Sequence, residues 1–251
     1  MTGPQALLVC AAGVAAGAIN TVVGSGTLIT FPTLLAVGLT PISANVSNTL
    51  GLAPGSLMGA YGYRRELAGQ RSRAIQLGSA SVLGAVAGAV LLLVLPSSAF
   101  EAVVPALIGL AVVLVIAGPW LSRRLTAAGH HRTRRVTPLM WMTSLATAVY
   151  GGYFGAAQGV LLVAVLGLLL AETLQRMNGL KNLLTGVVNA VAAIVFVFTG
   201  RMDWAVAGLI AAGSVVGAVI GARVGRRLPA VALRAVIAVV GLIALVKLLI
   251  D

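Results

Sequence analysis

A chain of 251 residues that is 59% hydrophobic and 9% charged is no soluble globular domain, in which about a quarter of residues carry charge. Its mean hydropathy of +1.06 fits a membrane protein, and no soluble domain fits between the apolar stretches. The formal charge of +12 would suit nucleic acid, but the basic residues cluster in short connections without an aromatic-rich soluble module, so positive-inside topology explains them better.

In chain order, apolar segments are predicted at about 5–23, 26–39, 44–61, 74–95, 99–121, 138–156, 159–171, 179–199, 204–222 and 230–249. The opening MTGPQALLVCAAGVAAGAINTVVG lacks the charged start of a signal peptide and is read as the first structural segment. Cys10 is the only cysteine, so no intrachain disulfide and no Cys-based metal cluster is expected. The segments 26–39 and 159–171 would extend about 20 Å as helices, less than a bilayer core.

These two short segments occupy matching places because the sequence repeats. SVLGAVAGAVLLLVLPSSAFEAVV from Ser81 matches SVVGAVIGARVGRRLPAVALRAVI from Ser214 at a constant shift of 133, pairing Gly84 with Gly217, Gly88 with Gly221 and Pro96 with Pro229. The same shift pairs Gly26 with Gly159, and one inserted residue pairs Asn48 with Asn182. The fold expected is an all-α polytopic membrane protein. It has two repeats of about five segments each, 1–122 and 138–251, joined by a basic linker at 123–137.

Arginines place the connections 62–73, 122–135 and 223–229 on the cytoplasmic side. An odd number of segments per repeat then inverts the second copy. Accordingly, the Pro96 connection carries no basic residue while its counterpart at Pro229 carries three. Inverted repeats are a mark of secondary transporters that alternate access around a central site.

The turn at Gly24-Ser25-Gly26 and the turn within YFGAAQGV, 153–160, would make each short segment half of a helical hairpin, re-entrant or broken. Entering from opposite faces, the two tips could meet near the midplane, where non-helical backbone is tolerated only in protein or beside a cavity. Helix ends aimed at such a point suit an anion. A tight turn at the membrane surface is the plain alternative. Asn20, Thr21, Ser25 and Thr27 offer uncharged polar groups on one side and Gln158 on the other.

The third segments are also polar: SANVSNTLGLAPGS holds Asn45 and Asn48, and QRMNGLKNLLTGVVN holds Asn178, Lys181, Asn182, Thr185 and Asn189. Hydrogen bonding between helices accounts for most of these, but Asn48 and Asn182 recur in both halves. Lys181 has two readings: snorkelling to the cytoplasmic interface, or reaching an anion path. The GAVAG and GAVIG runs at 84–88 and 217–221 read as faces for close helix packing. Trp120, Trp141 and Trp204 fall at predicted span ends, where indoles favour the interface.

The acids are Glu66, Glu101, Glu172, Asp203 and Asp251, each at or near a segment end, and no histidine lies mid-span. That argues against an intramembrane proton relay, a cation site, a metal site at His130 and His131, and a membrane enzyme. An anion substrate is left in front, with no cofactor expected.

The stretch AGAINTVVGSGTLITFPTLLAVGLTPISANVSNTLGLAPGSLMGAYGYRREL, a basic loop, and a weaker second copy opening GGYFGAAQGVLLVAVLGLLL together resemble the sulfite exporter TauE/SafE family of membrane transporters. The resemblance spans nearly the whole chain. It implies a bacterial inner-membrane protein, with members linked to movement of sulfite, sulfonates and related organosulfur or carboxylate anions. It also implies that Asn20, Gly24, Gly26 and Pro32 match a first motif, Asn45 and Asn48 a second, and Gly155, Gln158 and Gly159 the second hairpin. NGLKNLL departs from the family pattern, with Leu180 and Lys181 where small hydroxyl residues are expected.

The expectation is thus an exporter or facilitator of a small anion. The site would comprise Asn20, Thr21, Gly24, Ser25, Gly26, Asn45, Asn48, Gln158, Gly159, Lys181 and Asn182. The partners expected are the substrate and the lipid bilayer, with a homodimer left open. A membrane scaffold without a transported substrate is the alternative.

Overall fold

A computed structural model describes residues 1–128, 133–198, 201–224 and 230–250. Gly200 of the connection at 200–203 lies outside them. So do His130, His131 and Arg132 of the linker, and residues 225–229 of the third basic connection. All regular elements among the described residues are helices: α1 (Gly3–Val22), α2 (Thr27–Ala36), α3 (Pro41–Gly62), α4 (Arg64–Leu67), α5 (Arg71–Val94), α6 (Ser97–Ala128), α7 (Pro138–Tyr153), α8 (Gln158–Leu169), α9 (Leu174–Val197), α10 (Trp204–Val224) and α11 (Ala230–Ile250).

Each of the ten predicted segments is a helix, and only the single turn α4 is additional. The segment expected over 99–121 continues as α6 to Ala128, because WLSRRLTAA contains no Gly or Pro before Gly129. Among the described residues, five helices are long and apolar enough to cross a bilayer: Gly3–Val22, Arg71–Val94, Ser97–Gly118, Leu174–Val197 and Trp204–Val224. At 22 residues α3 has the length, but its buried Asn and Ser side chains lower its hydropathy.

Four helices start from a threonine cap. Thr2, Thr40, Thr137 and Thr173 each accept a backbone N–H from the first turn, satisfying one of the donors that a helix start leaves free. Thr40 and Thr173 stand 133 apart, the shift of the sequence repeat.

Packing follows the repeat. The first helix of each half lies on the fourth helix of the other, α1 on α10 and α7 on α5, while the third helices α3 and α9 meet centrally. Glycines permit the close approach, since a Cβ on Gly217 would lie 1.9 Å from Val14 O and one on Gly88 would lie 2.1 Å from Val149 O. The GAVAG and GAVIG faces are therefore contact surfaces.

Phe31 of α2 packs edge-on against Phe154 beside the second hairpin, with centroids 5.2 Å apart. Phe100 of α6 closes over Tyr153 and Phe154. Large apolar side chains on α5, α6, α10 and α11, such as Leu83, Val113, Val216 and Ile243, point outward, as expected where lipid is the solvent. On the linker, Thr133 pairs with the α8–α9 turn: Thr133 N–H donates to Leu169 O and Ala171 N–H to Thr133 O, both at 3.0 Å.

Candidate functional site

The two hairpin tips meet. In the first, α1 ends at Val22 and Gly24 turns the chain at φ +93°, a conformation open to glycine and costly for other residues. In the second, Gly155 at φ +76° and Ala157 at φ +58° make the corresponding turn into α8. Ala157 lies 133 positions after Gly24, so the same left-handed position is glycine in one half and a buried alanine in the other.

Gly159 N–H donates to Gly24 O at 3.0 Å. The backbones touch so closely that a Cβ on Gly24 would lie 2.5 Å from Gly159 Cα, and a Cβ on Gly159 would lie 2.5 Å from Gly24 Cα. This differs in one respect from the expectation of exposed helix-start amides: the Gly159 amide is spent on holding the tips together.

Lys181 of α9 is 0% exposed, which overturns the snorkelling alternative. The ammonium does not reach the interface because α1 ends beside it with unpaired carbonyls. Lys181 Nζ donates to Asn20 O at 2.8 Å and to Thr21 O at 3.0 Å, and Asn182 Nδ2 donates to Thr21 O at 3.2 Å. A cation at a helix C-terminus is favoured by the backbone dipoles. Two of its three N–H donors are taken, both by backbone carbonyls, and Glu172 pairs instead with Arg73 and Arg176. Asp203, the acid at the start of α10, instead caps the Val206 N–H. Lys181 is thus a buried charge held by neutral groups.

The aliphatic stem of Lys181 passes the tips, since a Cβ on Gly159 would lie 3.1 Å from Lys181 Cδ. Asn20 Nδ2 donates to Ser56 Oγ on α3 at 2.9 Å, and Thr21 Oγ1 to Gly17 O at 2.9 Å. A Cβ on Gly26 would lie 2.5 Å from Ala16 O and 3.1 Å from the Asn20 Cβ, so Gly26 closes the first hairpin on itself.

Asn20, Thr21, Gly24, Gly159, Lys181 and Asn182 therefore share one contact region, with Ser25 and Gln158 adjoining its two glycines. Ser25 Oγ and both polar atoms of Gln158 are buried without a hydrogen-bond partner, as is Thr185 Oγ1 one helical turn beyond Lys181. The Gln158 amide lies over Gly151, where a Cβ would come within 2.4 Å of Gln158 Cδ.

Asn48 and Asn182, equivalent in the repeat, have different partners. Asn48 Oδ1 accepts from Thr30 Oγ1, and its Nδ2 donates to Thr27 Oγ1 at 3.3 Å. The shift of 133 puts Val160 and Val163 at the places of Thr27 and Thr30, so α8 offers Asn182 nothing and its amide turns to Thr21. Asn45 Nδ2 donates to Tyr153 O at 2.9 Å, and Asn45 Oδ1 is unpartnered. The third helix of each half thus caps the end of the first helix of the other: α9 on α1 and α3 on α7.

Sequence reasoning missed Thr30 and Ser56. Thr30 was visible as the residue three after Thr27 on the same face of α2, whereas Ser56 gains its role only from how α3 crosses α1.

Tightly packed apolar helices, two hairpin tips in contact and buried polar side chains between them define a helical membrane protein. The sulfite exporter TauE/SafE family model matches residues 9–248, and the chain belongs to that family. It is an integral multi-pass membrane protein. It is similar to "Probable membrane transporter protein YfcA" of Escherichia coli K12, 25% identical over 239 residues covering 94% of this chain and 86% of the relative. It is also similar to "Probable membrane transporter protein ORF9" of Sinorhizobium sp, 27% identical over 238 residues, 94% and 89% of the two chains. No solved structure matches it.

Proposed function

We propose that the chain is a secondary transporter, an exporter or facilitator, of a small anion such as sulfite, an organosulfonate or a related organosulfur or carboxylate compound. The observation that carries this reading is the buried Lys181 ammonium, bonded to Asn20 O and Thr21 O without a carboxylate, beside the crossing at Gly24 and Gly159. An uncompensated charge at that depth costs several kcal/mol, and an arriving anion would offset it. The third Nζ–H, the Ser25 and Thr185 hydroxyls and the Gln158 amide supply donors that nothing else uses.

Access alternates, in this proposal, between two inverted repeats, with the basic connections on the cytoplasmic side. Lys181 joins α9 of one half to α1 of the other, so an anion that draws the ammonium from the α1 carbonyls loosens a contact between halves. With one fixed charge and several neutral donors the site binds moderately, which lets the anion leave. An inside-negative potential favours its export by ~2.3 kcal/mol per charge per 100 mV.

The test is flux of sulfite, a sulfonate and a small carboxylate into liposomes under an imposed gradient. Lys181→Met is expected to keep the fold and abolish flux. Absence of flux for every anion with wild-type protein would end the proposal. Equal flux in wild type and Lys181→Met would remove the lysine from it. A scaffold would show loss of folding in polar-site variants and no response to any anion.

A further inference from the structure

At the arginine-rich end of α5 a cavity of about 440 Å³ is lined by Ser72, Arg73, Gln76, Arg134 and Arg135, with Gly69 and Val136 closing its sides. Arg73 is committed to the wall: its guanidinium donates to Arg134 O at 2.9 and 2.6 Å, to Gln70 Oε1 at 3.3 Å and to Glu172 Oε1 at 2.5 Å. Glu172 is saturated by Arg73 and Arg176 and does not line the cavity. Arg134 and Arg135 are exposed, and among the described residues no ion pair engages their guanidinium groups. Three arginines and no carboxylate therefore line a concave space, a surplus of positive charge that calls for an anion.

The face of α5 below this cavity indicates which anion. At helical spacing, Ser72 and Gln76, joined by a 3.0 Å hydrogen bond, are followed by Ser79 and then by outward-facing Leu83, Val86 and Val90. At the change from polar to apolar, the Trp141 indole N–H of α7 donates to Ser79 Oγ at 3.2 Å. An indole favours the membrane interface. Leu139 and Met142 of α7, beside this tryptophan in the chain, are exposed as well. One stripe thus runs from an arginine cavity through an interfacial tryptophan to a lipid-facing surface, the order of phosphate, glycerol and acyl chain in a phospholipid.

We infer that this cavity holds the headgroup phosphate of an anionic phospholipid, with Arg134 and Arg135 as its charge partners and the acyl chains along α5 and α7. Basic pockets at the membrane surface bind such headgroups, with about 1 kcal/mol, or fivefold in affinity, per basic residue. The site is separate from the hairpin crossing, and its occupancy is independent of which anion is transported.

Native mass spectrometry of the full chain with phosphatidylglycerol and with phosphatidylcholine tests the inference. Phosphatidylglycerol is expected to bind preferentially, and Arg134→Gln with Arg135→Gln to weaken it roughly 25-fold. Arg134→Lys with Arg135→Lys retains it, as does Arg223→Gln, which changes a basic residue outside the cavity. Folding of each variant is checked by its melting temperature in phosphatidylcholine alone. Equal binding of the two lipids by wild type would overturn the inference. So would undiminished phosphatidylglycerol binding in the folded Gln variant, or displacement of the lipid by millimolar inorganic phosphate, which would place a soluble anion there instead.

Discussion

Replacing Gly24 with alanine should separate the hairpin tips. Three costs combine at this position. The backbone stands at φ +93°, and forcing an L side chain into left-handed conformation costs about 1–2 kcal/mol. The new Cβ would also lie 2.5 Å from Gly159 Cα, 2.7 Å from Gly159 C and 3.1 Å from Val160 N. That is backbone, which cannot rotate aside. Moving it breaks the Gly159 N–H to Gly24 O bond of 3.0 Å, and a buried donor left unpaired costs about 1–3 kcal/mol. With overpacking of about 1–3 kcal/mol, the total is at least ~3 kcal/mol. Two companions separate the terms. Gly38 has φ +97° with nothing within 4 Å, so Gly38→Ala carries the strain alone, about 1–2 kcal/mol. Gly159→Ala carries the clash without positive φ, its Cβ lying 2.5 Å from Gly24 Cα. Thermal unfolding in detergent should rank Gly24→Ala as most destabilised and Gly38→Ala as least. If Gly24→Ala and Gly38→Ala unfold together, the tips do not press on one another and the account of the crossing is wrong.

Gln158→Met should raise the stability of the ligand-free protein, because two unpartnered polar atoms are replaced by an apolar chain of similar length. The expected gain is about 1–3 kcal/mol, read by thermal unfolding, together with loss of any anion-induced stabilisation. On α10, Gly217→Ala places a Cβ 1.9 Å from Val14 O, whereas Gly208→Ala meets nothing within 4 Å. The first should destabilise by about 1–3 kcal/mol and the second should be neutral or stabilising by up to about 1 kcal/mol in the same assay. Burial pushes the Glu172 carboxyl upward, but the hydrogen bond from Arg73 and the charges of Arg176 and Arg73 outweigh it and hold the group below its ordinary range. Its contribution is therefore fully present above the unfolded-state pKa of about 4.3 and is lost as pH falls through the lowered folded value. Unfolding followed from pH 7 to pH 3 should show wild type losing about 1 kcal/mol in the acid range, a loss that Glu172→Gln lacks.

Local properties of the chain already determine most of the architecture. Apolar runs of bilayer length give the helices, Thr-Pro pairs at Thr40-Pro41 and Thr137-Pro138 start two of them, and a shift of 133 relates stretches of the sequence to one another. The glycine runs at 84–88 and 217–221 announce close packing, since small residues have few other uses in an apolar helix. Hydropathy and periodicity are summed over neighbours in the chain, so a single sequence carries them. The family resemblance was legible in the Gly-rich first hairpin and the Asn45 to Asn48 stretch for the same reason.

What the tertiary structure alone decided are relations between residues far apart in the chain. Lys181 could have snorkelled, and only the position of the α1 end turns its ammonium toward Asn20 O and Thr21 O. Asn48 and Asn182 are equals in the repeat, yet the apolar α8 denies Asn182 the threonine partners that Asn48 finds on α2. Gly24 and Gly159 could be read as turn residues, but that each glycine is required by the other's backbone follows only from the crossing itself. A missing side chain acquires meaning when the atom opposite it is known, and the helix crossings, which no local pattern encodes, supply that atom.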